Sequence, residues 1–400
     1  SRYTELKSVV APFGLLVARF FALFADYSFE PLQLTEDLDP KLVLFVKGLW
    51  GAASARDQIG GLISLGLLFS IFIVFLILLC MRVTASFKNR QHSAFKVDFF
   101  SLFFSILLSY PVIYVLDRAN YVIIAFIFLY LYIYSRHQND WLPSFALAAA
   151  ISVKPHLLVY LIALTDGPNR KGLSRTLICL AFSNLCSCVI LWDYAFISSF
   201  VNNYTSFAGF FLPALKVFNS SNMFSVIYIT FRGVLSPGAM RSIETAYGLL
   251  SMVGVVVLSF YVRNKTSELN LRLFYITILL IILPIASFDY NLILLLLFLP
   301  HLLSAPQRSF GLFDAVLLAL ALVPKHYLTI SLEPYFPFWS RSSTYLRLTE
   351  QSVVTPLLLM ALFITGLVRA SRQKRTMTEA ETVISKNQPL TYDVTESYLT

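Results

Sequence analysis

Residues 61–81, GLISLGLLFSIFIVFLILLCM, set the class of this protein. The stretch carries no charged side chain, and Arg82 follows it directly. A helix needs about 20 apolar residues to cross the hydrocarbon core of a bilayer, and this stretch has that length. It therefore predicts a membrane-spanning α-helix that ends at a basic boundary.

The composition of the whole chain repeats the character of that stretch. Of its 400 residues 57% are hydrophobic and 13% are charged, whereas about 25% of the residues in soluble globular proteins are charged. Soluble enzymes, DNA-binding modules and secreted disulfide scaffolds are therefore excluded. We predict an all-α, polytopic membrane protein with about 10–11 spans in one domain, residues 1–375. The apolar runs predicted to span the membrane are 8–25, 61–81, 98–116, 121–134, 176–192, 245–262, 273–286, 291–304, 310–323 and 353–370.

The net charge of +9 comes largely from Lys and Arg between the apolar runs. Because positive residues concentrate in cytoplasmic loops, these clusters predict the cytoplasmic side rather than a nucleic-acid partner. The clusters lie at Arg82–Lys96, Arg136, Arg170–Arg175, Arg263–Arg272, Arg308 and Arg369–Arg375.

Three long segments, 26–60, 193–244 and 324–352, then fall on the extracytoplasmic side. They are rich in Tyr, Phe and Trp, which predicts amphipathic helices along the lipid head groups. Residues 376–400 are polar with few aromatic residues, and this composition predicts a disordered cytoplasmic tail.

Residues 141–165 interrupt the alternation of sides, because basic clusters flank this apolar segment at both ends. Lys154 and Pro155 lie in its middle. Pro155 has no N–H group and disfavours helix at the residue before it. We predict a re-entrant hairpin of two half-helices that meet at this pair. Irregular backbone at membrane depth must be covered by protein or line a water-filled cavity, so the break also predicts a cavity.

The four cysteines, Cys80, Cys179, Cys186 and Cys188, lie within or beside apolar runs. This position is typical of small buried hydrophobic residues, and the spacing matches no metal or redox motif. The chain also has no P-loop, no G-x-G-x-x-G motif before a helix, no H-E-x-x-H and no C-x-x-C. We predict no metal and no cofactor.

Charged residues at span ends are the main functional candidates, because a charge inside the membrane costs at least about 2.5–3.5 kcal/mol. Asp26 follows the first predicted span, where a carboxylate can act as a general base toward a hydroxyl. Asp37 and Asp39 in the same loop are the fallback positions. Each of these acids could equally be an ordinary solvated loop residue.

Two short turns between spans carry further candidates. Arg118 and Asn120 lie in one of them, where Arg118 could bind a phosphate or form an ion pair with Asp117. Asp289 lies in the other turn, where it could bind sugar hydroxyls or cap the following helix.

The remaining candidates lie in the interrupted segment and in an outer loop. Lys154, close to His156, could bind an anion, or its side chain could reach the cytoplasmic head groups. The stretch Asn219–Met223 opens an amphipathic segment that ends at Arg232. It suits a helix cap better than a rim that binds head groups.

The order of these motifs resembles that of the polytopic GT-C glycosyltransferases, and most closely glycosyltransferase family 87. The motifs are an acid after the first span, an Arg-x-Asn turn, a broken Lys-Pro segment, an Asn/Ser-rich outer stretch and a Ser-aromatic-Asp turn, over roughly residues 8–304. Family members often have Arg-Gly-Asn where this chain has Arg118-Ala119-Asn120. They often have Trp-Asp-His-His where this chain has Phe288-Asp289-Tyr290-Asn291, so a histidine role in phosphate binding does not carry over.

The resemblance implies inverting transfer of a sugar, mannose or arabinofuranose, from a polyprenyl-phosphate donor to a lipid or glycan acceptor. Asp26 matches the position of the base, and Arg118 with Arg232 or Lys325 could stabilise the departing phosphate. The implied partners are this donor, the acceptor and the lipid bilayer, with no nucleic acid and no metal. The implied location is a bacterial plasma membrane, with the active site on the extracytoplasmic side.

Other functions fit the same composition. A transporter or lipid flippase also has many spans with buried Lys and Asp, but this sequence shows no repeat symmetry and its long loops lie on one side. An envelope polysaccharide polymerase or ligase takes a polyprenyl-diphosphate glycan, and its outer loops are expected to be rich in arginine, which is scattered here. A structural membrane subunit is the third alternative, and charge near a broken helix disfavours it.

Overall fold

The computed structural model describes ten stretches of the chain. They are residues 58–88, 98–117, 122–136, 141–191, 222–231, 234–284, 287, 289–304, 310–323 and 350–387. Within them the protein is all helical and contains no β-strand. The predicted all-α class is confirmed.

The described helices of the first half run from α1 to α7. They are α1 (Gln58–Lys88), α2 (Phe99–Leu107), α3 (Tyr110–Asp117), α4 (Val122–Ser135), α5 (Trp141–Val153), α6 (Tyr160–Ala163) and α7 (Arg170–Leu191). A 3₁₀ turn over Pro155–Val159 leads into α6, and another over Gly167–Asn169 leads into α7.

The second half begins with α8 and ends with the longest helix described. Its helices are α8 (Met223–Phe231), α9 (Pro237–Lys265), α10 (Leu269–Ile282), α11 (Ile293–Leu296), α12 (Leu299–Ser304), α13 (Leu312–Leu322) and α14 (Glu350–Asn387). A 3₁₀ turn over Asp289–Leu292 precedes α11.

Three described helices are long and apolar enough to cross a membrane. They contain the segments Gly66–Ser86, Gly238–Lys265 and Val353–Arg372, which overlap the predicted spans 61–81, 245–262 and 353–370. Four shorter apolar helices are α4, α5, α10 and α13. The chain therefore has the helices of a membrane protein, while the total of about 10–11 spans stays a prediction.

Two predicted spans are interrupted by proline. Residues 98–116 form α2 and α3 rather than one helix, and α2 ends at Leu107, four residues before Pro111. Residues 291–304 divide into the 3₁₀ turn, α11 and α12, and α11 ends at Leu296, four residues before Pro300. The pattern is expected, because a proline ring collides with the carbonyl group four residues earlier.

The core is built around two buried helices. In α5 almost every residue from Pro143 to Val153 is buried, and the helix packs between α4 and α7. In α10 all residues from Asn270 to Ile282 are buried against α6, α9 and α14. Large apolar side chains point outward on the long helices instead, such as Phe182 (68% exposed) and Leu250 (70% exposed). Such surfaces suit contact with lipid.

Helix α14 has two notable features. Gly366 lets it approach α10 closely, since a Cβ atom there would overlap the hydroxyl of Tyr275. The helix also continues to Asn387, so residues 376–387 are helical although we predicted a disordered tail from residue 376. Once a helix is nucleated, residues such as Lys374, Arg375 and Ala380 extend it at little further cost.

Candidate functional site

The break predicted at Lys154 and Pro155 is present. Helix α5 ends at Val153, where the backbone N–H of Lys154 donates to the carbonyl of Ala150 at 2.9 Å. Lys154 has φ −130° and ψ 88°, the extended region that a residue before proline favours. The local sequence therefore fixes the end of α5, and the chain continues as a 3₁₀ turn. Lys154 and His156 are both half-buried at this point.

Side-chain hydrogen bonds hold the break from two sides. Before it, the amide of Asn184 on α7 donates to the hydroxyl of Ser152 at 2.9 Å. After it, the hydroxyls of Tyr160 and Thr277 form a buried hydrogen bond that joins α6 to α10. The 3₁₀ turn packs against α9 and α10, and Leu157 in that turn is completely buried. Protein thus covers this irregular backbone. The re-entrant course of the segment and the cavity beside it stay predictions.

The Asp289 turn lies against another helix. The 3₁₀ turn Asp289–Leu292 packs on α3, which ends at Asp117, directly before Arg118 in the sequence. The structure thus brings together two segments that the sequence separates widely. The turn carries the predicted site residue Asp289, whereas Arg118 and Asn120, which follow α3 in the sequence, lie outside the described residues.

The Asp289 turn also contains buried polar atoms that the sequence did not single out. Ser287 is 2% exposed and Asn291 is 5% exposed. Neither the hydroxyl oxygen of Ser287 nor Oδ1 of Asn291 has a hydrogen-bond partner in the structure as described. Buried polar groups are normally paired, so this pair of oxygens needs a partner from a ligand, from water or from the rest of the chain. We name Ser287, Asp289, Asn291 and α3 the turn site.

Most of the predicted site residues lie outside the described residues. Those are Asp26, Asp37, Asp39, Arg118, Asn120 and Arg232. The backbone of Asp289 is described, and its side chain is not. Lys154 and His156 belong to the break rather than to the turn site, because their segment packs on α9 and α10.

The predicted cap in the stretch Asn219–Met223 is confirmed. Oδ1 of Asn222 accepts hydrogen bonds from the backbone N–H and the hydroxyl of Ser225, at 2.8 and 2.9 Å. This is the pattern of an N-cap on α8. Both residues are completely buried, and α8 packs on α9 and α14. Asn222 is therefore a structural residue.

A second polar region joins several helix ends that carry basic residues. The Nε–H of Arg82 donates to the Tyr130 hydroxyl at 3.0 Å, and its guanidinium lies 4.4 Å from the ring centre of Tyr134. Tyr134 in turn stacks on His301. We name the region the basic end, and it also includes Arg136, the Asp166–Arg272 pair and the Asp314–Arg369 pair.

Asp166 and Arg272 tie the loop after α6 to the first turns of α10. Arg272 is 7% exposed, and its guanidinium donates to the Asp166 carboxylate and, at 2.6 Å, to the carbonyl of Thr266. Burial acts to raise the pKa of Asp166. Hydrogen bonds from Asn169 and Arg272, together with the charge of Arg272, outweigh burial and hold that pKa below its ordinary value. The pair is therefore ionised at neutral pH and fixes the two segments together.

Asp314 makes the corresponding connection between α13 and α14. Its buried carboxylate accepts hydrogen bonds from the backbone N–H of Gly311, from the Thr365 hydroxyl and from Arg369. A charge in the apolar run 310–323 was visible in the sequence, but its side-chain partners, Thr365 and Arg369, lie more than 50 residues away. Sequence spacing alone could not identify them.

Comparison with known proteins adds no relative: no family model, curated protein or solved structure matches this chain. The functional argument therefore depends on the residues of this chain.

Proposed function

We propose that the protein is a membrane glycosyltransferase that moves a sugar from a polyprenyl-phosphate donor to a lipid or glycan acceptor at the turn site. The observation that carries the proposal is the packing of the Asp289 turn on α3, the helix that directly precedes Arg118 in the sequence. It brings an acid-bearing turn next to the segment that leads directly into Arg118 and Asn120. A cation beside hydroxyl-binding groups is what a sugar phosphate requires.

The unpartnered oxygens of the turn site support the same chemistry. Sugar hydroxyls donate and accept hydrogen bonds, and the buried oxygens of Ser287 and Asn291 can pair with them. A site that is buried and polar at the end of apolar helices also suits a donor whose prenyl chain stays in the bilayer. The sugar and the phosphate then lie at the surface of the hydrocarbon core.

The proposed reaction is a single displacement at the anomeric carbon. Asp26 takes the proton of the acceptor hydroxyl as its oxygen attacks that carbon, and the bond from the carbon to the phosphate oxygen breaks with its electrons. The products are an inverted glycosidic bond, a protonated carboxyl group and a polyprenyl phosphate with one more negative charge. Arg118 stabilises this developing charge, and no nucleotide takes part.

The test is a transfer assay on the purified protein. It uses polyprenyl-phosphate mannose and polyprenyl-phosphate arabinofuranose with radiolabelled sugars, and a lipid extract as acceptor. We expect one donor to give a labelled product, and we expect Asp26→Asn to abolish it. Glu36→Gln, a change in the same loop, serves as the control and retains activity.

Two results would overturn parts of this proposal. Full activity in Asp26→Asn with loss in Asp37→Asn or Asp39→Asn would move the base to one of those residues. Transport of the lipid across reconstituted vesicles without any new glycosidic bond would show a flippase instead.

A further inference from the structure

Two of the guanidinium groups at the basic end, those of Arg272 and Arg136, differ in their partners. The protein itself supplies the hydrogen-bond partners of Arg272. This guanidinium donates to the carbonyl of Thr266, to the carboxylate of Asp166 and, at 3.5 Å, to the carbonyl of Ala163. Arg136 follows α4 directly, and its Nη1 is buried with no hydrogen-bond partner in the described parts of the chain. Arg272 is therefore structural, whereas Arg136 has an unused donor.

Two more buried polar groups lie unpartnered near Arg136. One is the hydroxyl of Tyr132, a residue that lies one helical turn earlier on α4 and is 4% exposed. The other is Oδ1 of Asn270, a residue that is 3% exposed. Residues four apart on a helix share one face, so Tyr132 and Arg136 lie side by side. Arg136 also interacts electrostatically with Glu268, which immediately precedes α10, and Asn270 lies in the first turn of α10. Tyr132 and Arg136, which interact with each other, thus lie within electrostatic reach of the start of α10, where Asn270 carries the third unpartnered group.

The start of α10 adds further donors. This helix of 14 residues has no side-chain hydrogen bond at its N-cap, Glu268. The backbone N–H groups of a first helical turn lack partners within the helix, and the helix dipole makes that end positive. Together with a guanidinium and a phenol they form the set of donors that binds an oxyanion. The amide of Asn270 can present either its oxygen or its NH₂ group to such a ligand.

We propose that Arg136, Tyr132, Asn270 and the first turn of α10 bind a phosphate group, carried by a phospholipid head group or by a soluble phosphate compound. A guanidinium matches two phosphate oxygens in parallel, and the phenol and the helix N–H groups reach the others. The site is separate from the turn site and does not depend on the proposed transfer reaction.

Glu268 is the charged group that opposes this ligand. It is exposed at the N-cap and interacts with Arg136. Because a carboxylate next to an anion weakens binding, Glu268→Gln should tighten phosphate binding severalfold. A site that merely held a buried water would show no such change.

The experiment measures binding by the purified full chain to two probes. One is inorganic phosphate added to the protein in detergent, and the other is phosphatidic acid in nanodiscs of phosphatidylcholine. We expect saturable binding of one probe, with the dissociation constant raised roughly tenfold or more in Arg136→Gln and about threefold or more in Tyr132→Phe. Arg170→Gln removes an exposed arginine near the same end and should bind like the wild type. Binding of inorganic phosphate assigns a soluble ligand, and binding of phosphatidic acid alone assigns a lipid.

Tyr132→Phe also shows whether weaker phosphate binding could come from misfolding. It removes a hydroxyl that has no hydrogen-bond partner in the described structure, so the ligand-free variant should denature at the same temperature as the wild type or higher. The proposal is overturned if neither probe binds, if Arg136→Gln binds like the wild type, or if Arg170→Gln weakens binding as much as Arg136→Gln does.

Discussion

At the scale of single residues, the protein keeps several polar groups in its interior, and their partners separate structural from functional roles. Asn222, Asp314 and Arg272 have their hydrogen bonds supplied by the chain itself. Ser287 and Asn291 in the turn site do not, within the described residues. A buried group without a partner lowers stability, so the two oxygens of the turn site call for a test of contact with a ligand.

Ser287 gives the first prediction. Replacing it by alanine should leave the denaturation temperature unchanged or raise it, because the lost hydroxyl has no partner in the described structure. Sugar transfer should fall about two- to tenfold, the effect of losing one neutral hydrogen bond to substrate. Ser259→Ala is the matched control, since Ser259 on α9 is equally buried with an unpartnered hydroxyl by the same criterion. Equal loss of transfer in both variants would remove Ser287 from the site.

Asp166 gives a prediction about pH. Its folded pKa lies below the ordinary value of about 3.9, so its ion pair stabilises the fold above about pH 4. That contribution is lost as the pH falls through the folded pKa. Asp166→Asn should therefore cost about 1–3 kcal/mol at pH 7, the range for hydrogen bonds to charged groups, and the difference from the wild type should shrink below about pH 4. Thermal denaturation over this pH range tests it, and a difference that stays constant with pH would contradict it.

At the scale of elements, the interrupted helix after α5 is held by one hydrogen bond on each side. The two partners of the second bond are not equivalent. The Thr277 hydroxyl also donates to the carbonyl of Leu273, at 2.7 Å. For the Tyr160 hydroxyl, the described structure gives a single hydrogen bond, the one to Thr277. Removing the Thr277 hydroxyl therefore leaves the buried Tyr160 hydroxyl without its partner. Removing the Tyr160 hydroxyl leaves Thr277 still bonded to Leu273.

This asymmetry predicts a clear order of effects. Tyr160→Phe should cost about 0.5–1 kcal/mol, and Thr277→Val about 1–3 kcal/mol because it leaves an unpaired buried hydroxyl. Thr277→Ser keeps the hydroxyl and should stay close to the wild type. Denaturation temperatures of the three variants in one detergent provide the measurement. A larger loss in Tyr160→Phe than in Thr277→Val would show that the bond does not hold the break.

The elements also show what the sequence could and could not reveal. Pro155 acts on its own neighbours, so the break at Lys154 was predictable from a few residues. Pro111 and Pro300 carry the same local signal, but the length of the surrounding apolar runs favoured unbroken spans over 98–116 and 291–304. The Asp314–Arg369 pair and the packing of α3 on the Asp289 turn are contacts between distant segments. Such contacts follow from the tertiary arrangement and leave no mark in local composition.

At the scale of the whole molecule, polar groups gather at the basic end and at the turn site. Helix α9 has 29 residues and is about 44 Å long at 1.5 Å per residue, more than the thickness of a hydrocarbon core. Its N-terminus follows Val234, and its C-terminus leads to Glu268 at the basic end. The residues before and after α9 are therefore expected on opposite membrane surfaces.

This arrangement predicts a labelling pattern. In a variant without native cysteines, Val234→Cys should react in intact cells with a maleimide that cannot cross the membrane. Lys171→Cys should react only after the membrane is opened, because its cluster is predicted to be cytoplasmic. Both positions are exposed, so a failure to react reports membrane side rather than burial. The reverse pattern would place the basic end outside and contradict the predicted topology.

We propose that this chain breaks a sugar–phosphate bond and forms a glycosidic bond. The most direct measurement is the stoichiometry of products when purified protein acts on a polyprenyl-phosphate sugar. We expect one polyprenyl phosphate to be released for each sugar transferred, with inverted anomeric configuration, and no release in Asp26→Asn. Release of a polyprenyl diphosphate from a diphosphate-linked glycan, or movement of lipid with no bond broken, would contradict it.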